Sequence, residues 1–228
     1  MQGQYPPRAP GIAAGQSARA TTATYFDYQG IMRTAHPGEL RPNYVYQNGV
    51  WVQDGWLREG KATNYVSNLL SAHGEGTTDI LGTKTRVQLT ADSGYTNPIY
   101  SGVSASCVLS AYVTVKGGSA EVRCAAGVYY HSQVAVDDVG NIRSIDSDGG
   151  QGHAGTPSVS YIGNGMYRLS FPRMDGFSAM GTTSANLWLN STSGTQVTVT
   201  CELVQLEDGD TATSLIPTNG TPATRTAD

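Results

Sequence analysis

The stretch Val197-Thr198-Val199-Thr200-Cys201-Glu202-Leu203 alternates apolar and polar residues without interruption. A period of two places the apolar side chains on one face of a strand and the polar ones on the other, as happens when a strand lies between a core and water. We therefore predict a core strand whose buried face is formed by Val197, Val199, Cys201 and Leu203.

Both ends of the chain differ from this strand. Periodicity is lost beyond an acidic turn at residues 207–210, and residues 1–24 combine three prolines with glycine and small residues. Segments with so little to bury do not fold alone, so we expect both ends to be arms that become ordered on a neighbouring subunit. The predicted organisation is an N-terminal arm at 1–24, short strands and a β-hairpin at 25–64, a β-sandwich at 65–207 and a C-terminal arm at 208–228.

Further strands are predicted from the same alternation. Residues 44–46 and 50–52 flank Asn48-Gly49, and Asn-Gly is the strongest short signal for a β-hairpin. Residues 108–115 form another alternating strand, and residues 121–128 are expected to return as its partner after a glycine turn. Because the chain has 28 glycines and 10 prolines and little helical periodicity, we predict an all-β protein, an antiparallel jelly-roll β-sandwich with extended arms.

Several stretches resemble a signature of tailed-bacteriophage virion proteins. They are 19–27 (RATTATYFD), 57–64 (LREGKATN), 162–168 (IGNGMYR), 203–218 (LVQLEDGDTATSLIPT) and 221–228 (TPATRTAD). Gly60-Lys61 interrupts a run that is usually more acidic, and Met166 stands where tryptophan is common. Proteins of this family carry a jelly-roll domain similar to carbohydrate-binding modules and occur in tail fibres, head fibres and capsid decoration. The resemblance implies a virion location, other virion structural proteins as partners and a homo-oligomer, with a trimer favoured.

The totals exclude several classes of function. A formal net charge of −4 without clustered Lys or Arg argues against nucleic acid as a partner. No apolar run reaches the length of a membrane span, and residues 1–7 lack the features of a signal peptide, so we expect assembly in a host cytoplasm. Cys107, Cys124 and Cys201 lie in apolar strand patterns, which favours buried thiols over the alternative of a disulfide.

Candidate chemistry is sparse. Asp146 and Asp148, in Asp-Ser-Asp-Gly, form a fragment of a calcium loop, but the missing ligands of a full loop favour a solvated hairpin loop over a calcium site. The four histidines lack the close spacing of a zinc pair, and no Gly-x-Ser-x-Gly motif or paired-carboxylate motif occurs. We therefore expect no enzymatic activity and no cofactor, apart from this calcium alternative.

Aromatic residues are the remaining candidates for binding. Flat rings with a polar tip suit a core, a protein interface or stacking against a sugar, and these three alternatives stay open. The candidates are Trp51, Trp56, Tyr129, Tyr130 and Trp188. Trp188 lies between Leu187 and Leu189, so we expect it on the face opposite to theirs.

The predicted function is that of a non-enzymatic structural protein of a bacteriophage virion, such as a fibre, tail-associated or capsid decoration subunit. The alternative is a carbohydrate-binding or host-receptor-binding module of the adsorption apparatus, with a host surface glycan as the ligand. A third hypothesis, a depolymerase of host polysaccharide, is disfavoured because the sequence contains no recognisable pair of catalytic carboxylates.

Overall fold

The described residues of the computed structural model are all-β. They are residues 17–66, 72–81, 84–96, 100–101, 107–126, 129–146, 155–172, 184–191, 197–218 and 221–228. Within these ranges regular structure consists of strands alone, and every strand pair is antiparallel. The prediction of an all-β, antiparallel protein is confirmed.

Seventeen strands follow one another along the described chain. Those of the first third are β1 (Ala23–Phe26), β2 (Met32–Ala35), β3 (Arg41–Gln47), β4 (Val50–Leu57), β5 (Ala62–Asn64) and β6 (Ala72–Leu81). The middle strands are β7 (Lys84–Thr96), β8 (Tyr100–Ser101), β9 (Cys107–Lys116), β10 (Ser119–Ala126), β11 (Tyr129–Asp137) and β12 (Ile142–Asp146). The last strands are β13 (Ser158–Gly163), β14 (Met166–Phe171), β15 (Ser184–Ser191), β16 (Thr198–Asp208) and β17 (Ala223–Arg225).

Eleven of these strands form one large sheet. Its order is β12-β11-β10-β15-β7-β16-β9-β14-β13, with β6 also paired to β7 and β8 to β15. The long strand β7 joins the two halves, because Gln88 pairs with Thr200 of β16 and Tyr95 pairs with Trp188 of β15. The remaining six strands form the pairs β1-β2, β3-β4 and β5-β17.

The two halves of the large sheet share one apolar interior. Val122 of β10, Val134 of β11 and Leu187 of β15 belong to the same buried cluster as Leu109 of β9 and Leu169 of β14. Each such side chain contributes about 1.5–3 kcal/mol by leaving water. The β9 residues predicted to face one way (Leu109, Ala111, Val113 and Val115) are all completely buried in this cluster.

The partner predicted for β9 was wrong. A turn at Gly117-Gly118 does separate β9 from β10, but β10 pairs with β11 and β15, whereas β9 pairs with β14 and β16. A strand has two edges, and both edges of β9 are taken by strands from later in the chain. The glycine turn therefore carries the chain across the interior, from one half of the large sheet to the other.

The buried face predicted for β16 was also wrong at one residue. Val197, Val199 and Cys201 are buried as expected, but Leu203 lies in a β-bulge with a φ of 53°. An extra residue in one strand exchanges its two faces, so Val204 and Leu206 continue the core beyond the bulge. Gln205 and Glu207 consequently occupy the opposite face of β16.

The β3-β4 hairpin was predicted correctly. Gln47 pairs with Val50 across Asn48 and Gly49, whose φ angles of 50° and 87° are those of a two-residue hairpin turn. In this turn both residues adopt positive φ, which Asn and Gly tolerate better than other residues. The hairpin projects from the large sheet on the side of β13, which it contacts through Tyr46 and Tyr161.

The C-terminal segment lies on its own chain. We expected residues 208–228 to need a neighbouring subunit, but β17 pairs with β5, and Leu215 and Ile216 are buried. Asp228 donates its backbone N–H to the carbonyl of Glu59 at 3.0 Å. The neighbour that orders this apolar-poor segment is therefore the chain's own segment 17–64, together with the outer face of β16.

The cysteines agree with their prediction. Cys107, Cys124 and Cys201 are buried as thiols in the core. Burial, followed by the nearby Cys107, raises the pKa of Cys124 well above its ordinary value. Across the described ranges there is no helix with the length and apolar character that crossing a membrane requires.

Candidate functional site

Five charged side chains meet where residues 17–64 and the C-terminal segment come together. We call Arg19, Arg41, Glu59, Arg225 and Asp228 the junction cluster. The three arginine side chains are completely shielded from water, and those of Asp228 and Glu59 are 6% and 16% exposed. Charges rarely lie this deep in a protein unless they are paired.

Arg41 joins the two carboxylates. Its guanidinium forms an ion pair with Glu59 at 2.8 Å and a second one with Asp228. It also donates to the carbonyl of Thr24 at 3.0 Å and to the hydroxyl of Ser214 at 2.6 Å. One side chain of β3 thereby binds β1, the segment after β4 and the C-terminal segment.

The outer arginines complete the junction cluster. Arg19 donates from Nε to Asp228 at 3.1 Å, and from its terminal nitrogen to the carbonyls of His36 and Glu39 at 3.0 and 2.9 Å. Arg225 forms an ion pair with Glu59 and donates to the carbonyl of Gly60 at 3.0 Å. The Arg19–Asp228 and Arg225–Glu59 contacts connect residues more than 160 positions apart.

The junction cluster keeps its carboxylates ionised. Burial by itself raises the pKa of Glu59, but hydrogen bonds from Ser214 and the charges of Arg225 and Arg41 outweigh it and lower that pKa. For Asp228, burial is likewise outweighed by hydrogen bonds from Arg41 and Glu59 and by the Arg41 charge, so its pKa is also lowered. Both carboxyl groups therefore act as fixed negative partners for arginine.

A polar layer beside the junction cluster holds residues 213–216 against β16. Glu207 accepts from the backbone of Thr213 at 2.9 Å, and Gln205 accepts from the backbone of Ile216 at 2.6 Å. Asn64 donates to the carbonyl of Ile216 at 2.9 Å and accepts from the backbone of Leu206 at 3.1 Å. Burying the outer face of β16 is possible because each of these polar groups has a partner.

An aromatic cleft adjoins the junction cluster. It has a volume of about 240 Å³ and is bounded by β1, the β3-β4 hairpin and strands β9, β13 and β14. Trp51 stacks on Phe26 with ring centroids 5.1 Å apart, and the edge of Tyr46 meets Trp51 at 5.6 Å. Tyr25, Tyr44 and Trp51 are half-buried where they line the cleft, so each ring contacts both the protein and the solvent.

One glycine makes room for the Trp51 ring. Gly30, in the turn between β1 and β2, has a φ of 72°, and a Cβ placed on it would lie 2.2 Å from Nε1 of Trp51. Asp27 holds this turn by accepting from the backbone of Gln29 at 2.8 Å and from Ile31 at 3.0 Å. The Gln29-Gly30 turn thus sets the position of the ring that forms one wall of the cleft.

A second, polar cleft of about 330 Å³ adjoins the first. We call it the hydroxyl cleft, because it is lined by Thr156, Ser158, Ser160, Ser170 and Thr211, together with Arg168, Pro172, Asp210 and Ala212. Ser160 and Arg168 line both clefts. Arg168 lies over the Tyr112 ring, 5.8 Å from its centroid, and donates to the carbonyl of Thr213.

The predicted aromatic residues do not form one site. Trp51 lines the aromatic cleft, whereas Trp56 is absent from its lining and is 40% exposed. Tyr129 and Tyr130 begin β11 and Trp188 lies in β15, but their side chains are outside the described part of the chain. The predicted outward orientation of Trp188 stays a prediction, while its neighbour Leu187 is buried in the core.

The calcium prediction is not decided. Asp146 ends β12 and accepts a hydrogen bond from Gln133 at 3.4 Å, and Asp148 lies outside the described residues. Among the side chains that are described, no group of three or more His, Cys, Asp or Glu is close enough to hold a metal ion.

Sequence reasoning missed most of the cleft. Tyr44 and Tyr46 lie close to the recognisable Asn-Gly turn, so the sequence indicated a hairpin at their position. Phe26, Tyr112 and Tyr161 come from strands that only the tertiary fold brings together. Arg168 carried no signal at all beyond its place in the stretch 162–168. The sequence matches no protein-family model, and no curated protein matches it.

Proposed function

We propose that this chain is a non-enzymatic structural subunit of a bacteriophage virion, built on a jelly-roll β-sandwich. One observation carries the proposal: the separate stretches that resemble phage virion proteins meet in space. Arg19 contacts Asp228, Glu59 contacts Ser214 and Arg225, Asn64 contacts Ile216, and Arg168 contacts Thr213. The resembling stretches therefore form one unit that holds the segments around Arg19 and Asp228 against the large sheet.

The chemistry of that unit favours a structural role. Glu59 and Asp228 accept hydrogen bonds from arginine and backbone groups and have lowered pKa values. A general acid or base needs a pKa near the working pH, and these two carboxyl groups are displaced in the opposite direction. Their geometry suits fastening of the chain rather than proton transfer.

An exposed apolar face supports assembly with other subunits. On the β3-β4 hairpin, Val50 and Val52 lie on one face and are 57% and 43% exposed. A two-stranded hairpin is marginal alone in water, and an exposed apolar face is typical of a protein interface. Because the C-terminal segment is occupied within its own chain, we assign assembly to this hairpin face and propose a homotrimer.

Two measurements test the structural role. Mass spectrometry of purified particles should detect the chain at a fixed copy number, and light scattering after size-exclusion chromatography should give a trimer. Val52→Glu should shift the trimer to monomer, whereas Val139→Glu, at an exposed valine on the turn between β11 and β12, should not. Absence of the chain from particles would overturn the proposal, and a monomeric wild type would overturn its trimeric form.

The second candidate function is glycan binding, and the aromatic cleft is the observation that favours it. Small-ligand sites are concave and lined mainly by aromatic and apolar groups with a few polar ones, which describes the surroundings of Trp51 and Tyr44. Both functions are compatible, because the cleft and the exposed hairpin face use different side chains of β4.

A further inference from the structure

We infer that the aromatic cleft and the hydroxyl cleft form one groove that binds a short oligosaccharide, with one sugar ring against Trp51 and the next units along Ser160 and Ser158. This inference rests on the second candidate function, glycan binding. It adds the position of the ligand, the minimum length of two sugar units and the residue that joins the two subsites, Arg168.

The register of β13 and β14 places side chains that line the two clefts in one row. Ser160 pairs directly with Arg168 and Ser158 with Ser170, so all four side chains lie on the same face of this strand pair. The opposite face carries Leu169 and Tyr167, which are buried in the core. A polar row thus extends from the hydroxyl cleft into the aromatic cleft.

The sizes of the clefts favour a ligand that occupies both. The aromatic cleft, about 240 Å³, lies below the range of roughly 300–1,000 Å³ that is usual for small-ligand sites, and the hydroxyl cleft, about 330 Å³, lies at its lower end. Taken together as one groove, the two volumes lie well inside that range. A single sugar ring would leave one of the clefts empty.

The chemistry of the walls selects a sugar over other ligands. Hydroxyl side chains both donate and accept, so a row of them matches a ligand that is dense in hydroxyl groups. Burial, followed by the charges of Glu39 and Asp27, raises the pKa of Tyr25, which therefore stays a neutral donor at the edge of an apolar surface. A polyphosphate is disfavoured, because Glu59 and Asp210 place carboxylates along the same groove.

Arg168 is the joining residue. Its guanidinium has five N–H donors, and its hydrogen bond to the carbonyl of Thr213 uses one of the two terminal nitrogens. Stacking over Tyr112 holds the planar group at the border of the two clefts. We assign to it the donation of hydrogen bonds to the sugar that lies between the aromatic ring and the serine row.

Binding should be measured on the full chain with a defined panel of probes. The panel contains maltotriose, the trimer of N-acetylglucosamine and trigalacturonate, each beside its monosaccharide, and an array of bacterial-surface oligosaccharides. We expect at least one oligosaccharide to bind and to bind at least tenfold more tightly than its monosaccharide. Titration calorimetry gives the affinity, and a change in tryptophan fluorescence reports contact at Trp51.

Matched variants locate the site. Trp51→Ala should weaken binding at least tenfold, whereas Trp56→Ala, the same substitution in the same strand but outside the cleft lining, should leave affinity unchanged. Because Trp51→Ala removes packing against Phe26, the second variant is Ser160→Phe at an exposed position, which fills the border of the clefts and keeps the aromatic walls. It should reduce affinity for the oligosaccharide to that for the monosaccharide.

Three outcomes overturn the inference. They are no binding to any member of the panel or array, equal affinity for oligosaccharide and monosaccharide, and equal loss of affinity in Trp51→Ala and Trp56→Ala. The structural role is tested separately, because the trimer and particle measurements do not involve Trp51 or Ser160. A chain found in particles without glycan binding would overturn only the groove.

Discussion

The interior of the large sheet and the junction cluster are both almost dry, but different forces hold them together. In the sheet, Leu109, Leu169 and Val134 are completely buried among other apolar side chains. In the junction cluster, Arg41 is just as deeply buried, and its neighbours are two carboxylates, a hydroxyl and a backbone carbonyl. The first region gains free energy from area removed from water, whereas the second depends on each charge keeping its partner.

This difference divides the chain into a self-sufficient part and a fastened part. Apolar burial depends mainly on total volume and pattern, so the sheet interior tolerates exchange of one hydrophobic side chain for another of similar size. The junction cluster tolerates no missing member, since an unpaired buried charge costs more than the pair contributes. Residues 17–64 and 209–228 should therefore detach together, while the large sheet stays folded.

The largest effect is expected from Glu59→Gln. It leaves Arg19, Arg41 and Arg225 facing the single carboxylate of Asp228 within the junction cluster, which should cost about 3–5 kcal/mol. Hydrogen exchange measured by mass spectrometry should show loss of protection in β1, β5 and β17, with β9 and β14 unchanged. Glu39→Gln, the same substitution at an exposed carboxylate, is the control. Equal loss of protection throughout the chain would contradict the division into two parts.

Leu169→Ala should produce a somewhat smaller effect in the opposite region. Truncating this completely buried leucine of β14 should cost about 2–5 kcal/mol. The cost has two parts, the lost free energy of transferring the side chain out of water and the cavity left in the core. Thermal unfolding should show a lower midpoint for the whole chain, since the fastened segments have nothing to dock on once the sheet opens. A lower midpoint confined to the fastened segments would be evidence against this dependence.

Alkaline pH should act on the large sheet through Tyr167. Burial, followed by the charges of Asp137 and Tyr161, raises the pKa of Tyr167 from 10.0 to about 12, which corresponds to roughly 3 kcal/mol. Because the folded-state pKa is the higher one, this stability is complete below pH 10 and is lost as the pH rises toward 12. Urea unfolding across this range checks the slope, and Tyr167→Phe should flatten it. An unchanged slope in Tyr167→Phe would exclude Tyr167 as the cause.

Mild acid should give the smallest effect, and it should act on the junction cluster. Hydrogen bonds and arginine charges lower the pKa values of Glu59 and Asp228 despite their burial, so their stability is present at neutral pH. It begins to be lost only as the pH falls below the unfolded-state values, at about pH 4, and continues down through the lower folded-state values.

Segment-resolved hydrogen exchange separates this acid effect from that of Asp137. Hydrogen bonds from Asn141 and Val139 and the charge of Arg143 lower the pKa of Asp137 against the effect of burial, and this residue ends β11 of the large sheet, next to the turn that leads to β12. Loss of protection at β5 and β17 is expected from protonation in the junction cluster. Loss confined to the β11-β12 turn would show that the junction cluster does not respond.

Features that depend on residues close along the chain were predicted from the sequence, whereas features that depend on residues far apart along the chain were not. The Asn48-Gly49 turn was predicted because two neighbouring residues fix its backbone angles. The strand β9 was predicted because apolar and polar residues alternate along consecutive positions. Its partner strands were not predicted, because pairing depends on which strand occupies each edge. The bulge at Leu203 left no mark in the alternation of residues 197–203, and so the buried face was assigned one residue too far.

For the candidate groove, sequence reasoning supplied Trp51 and the recognition that its ring suits a core, a protein interface or a sugar. It did not supply Arg168, Ser160 or Tyr112, because these residues become neighbours only through the pairing of β9, β14 and β13. Trp56, five positions after Trp51 in the sequence, is 40% exposed and lies outside the cleft lining, beyond the irregularity in the pairing of β3 with β4.

By itself the sequence determined that the described part of the chain is all-β, where the Asn48-Gly49 turn lies and which face of β9 is apolar, because each of these follows from residues that are close along the chain. Only the tertiary structure decided that the C-terminal segment lies on residues 17–64 of the same chain. A lone arginine or carboxylate reads as a solvated charge, and Arg19 and Asp228 become a buried pair only when folding brings together positions 209 residues apart. Such a pair depends on the whole fold, because the surrounding segments are what exclude water from both charges.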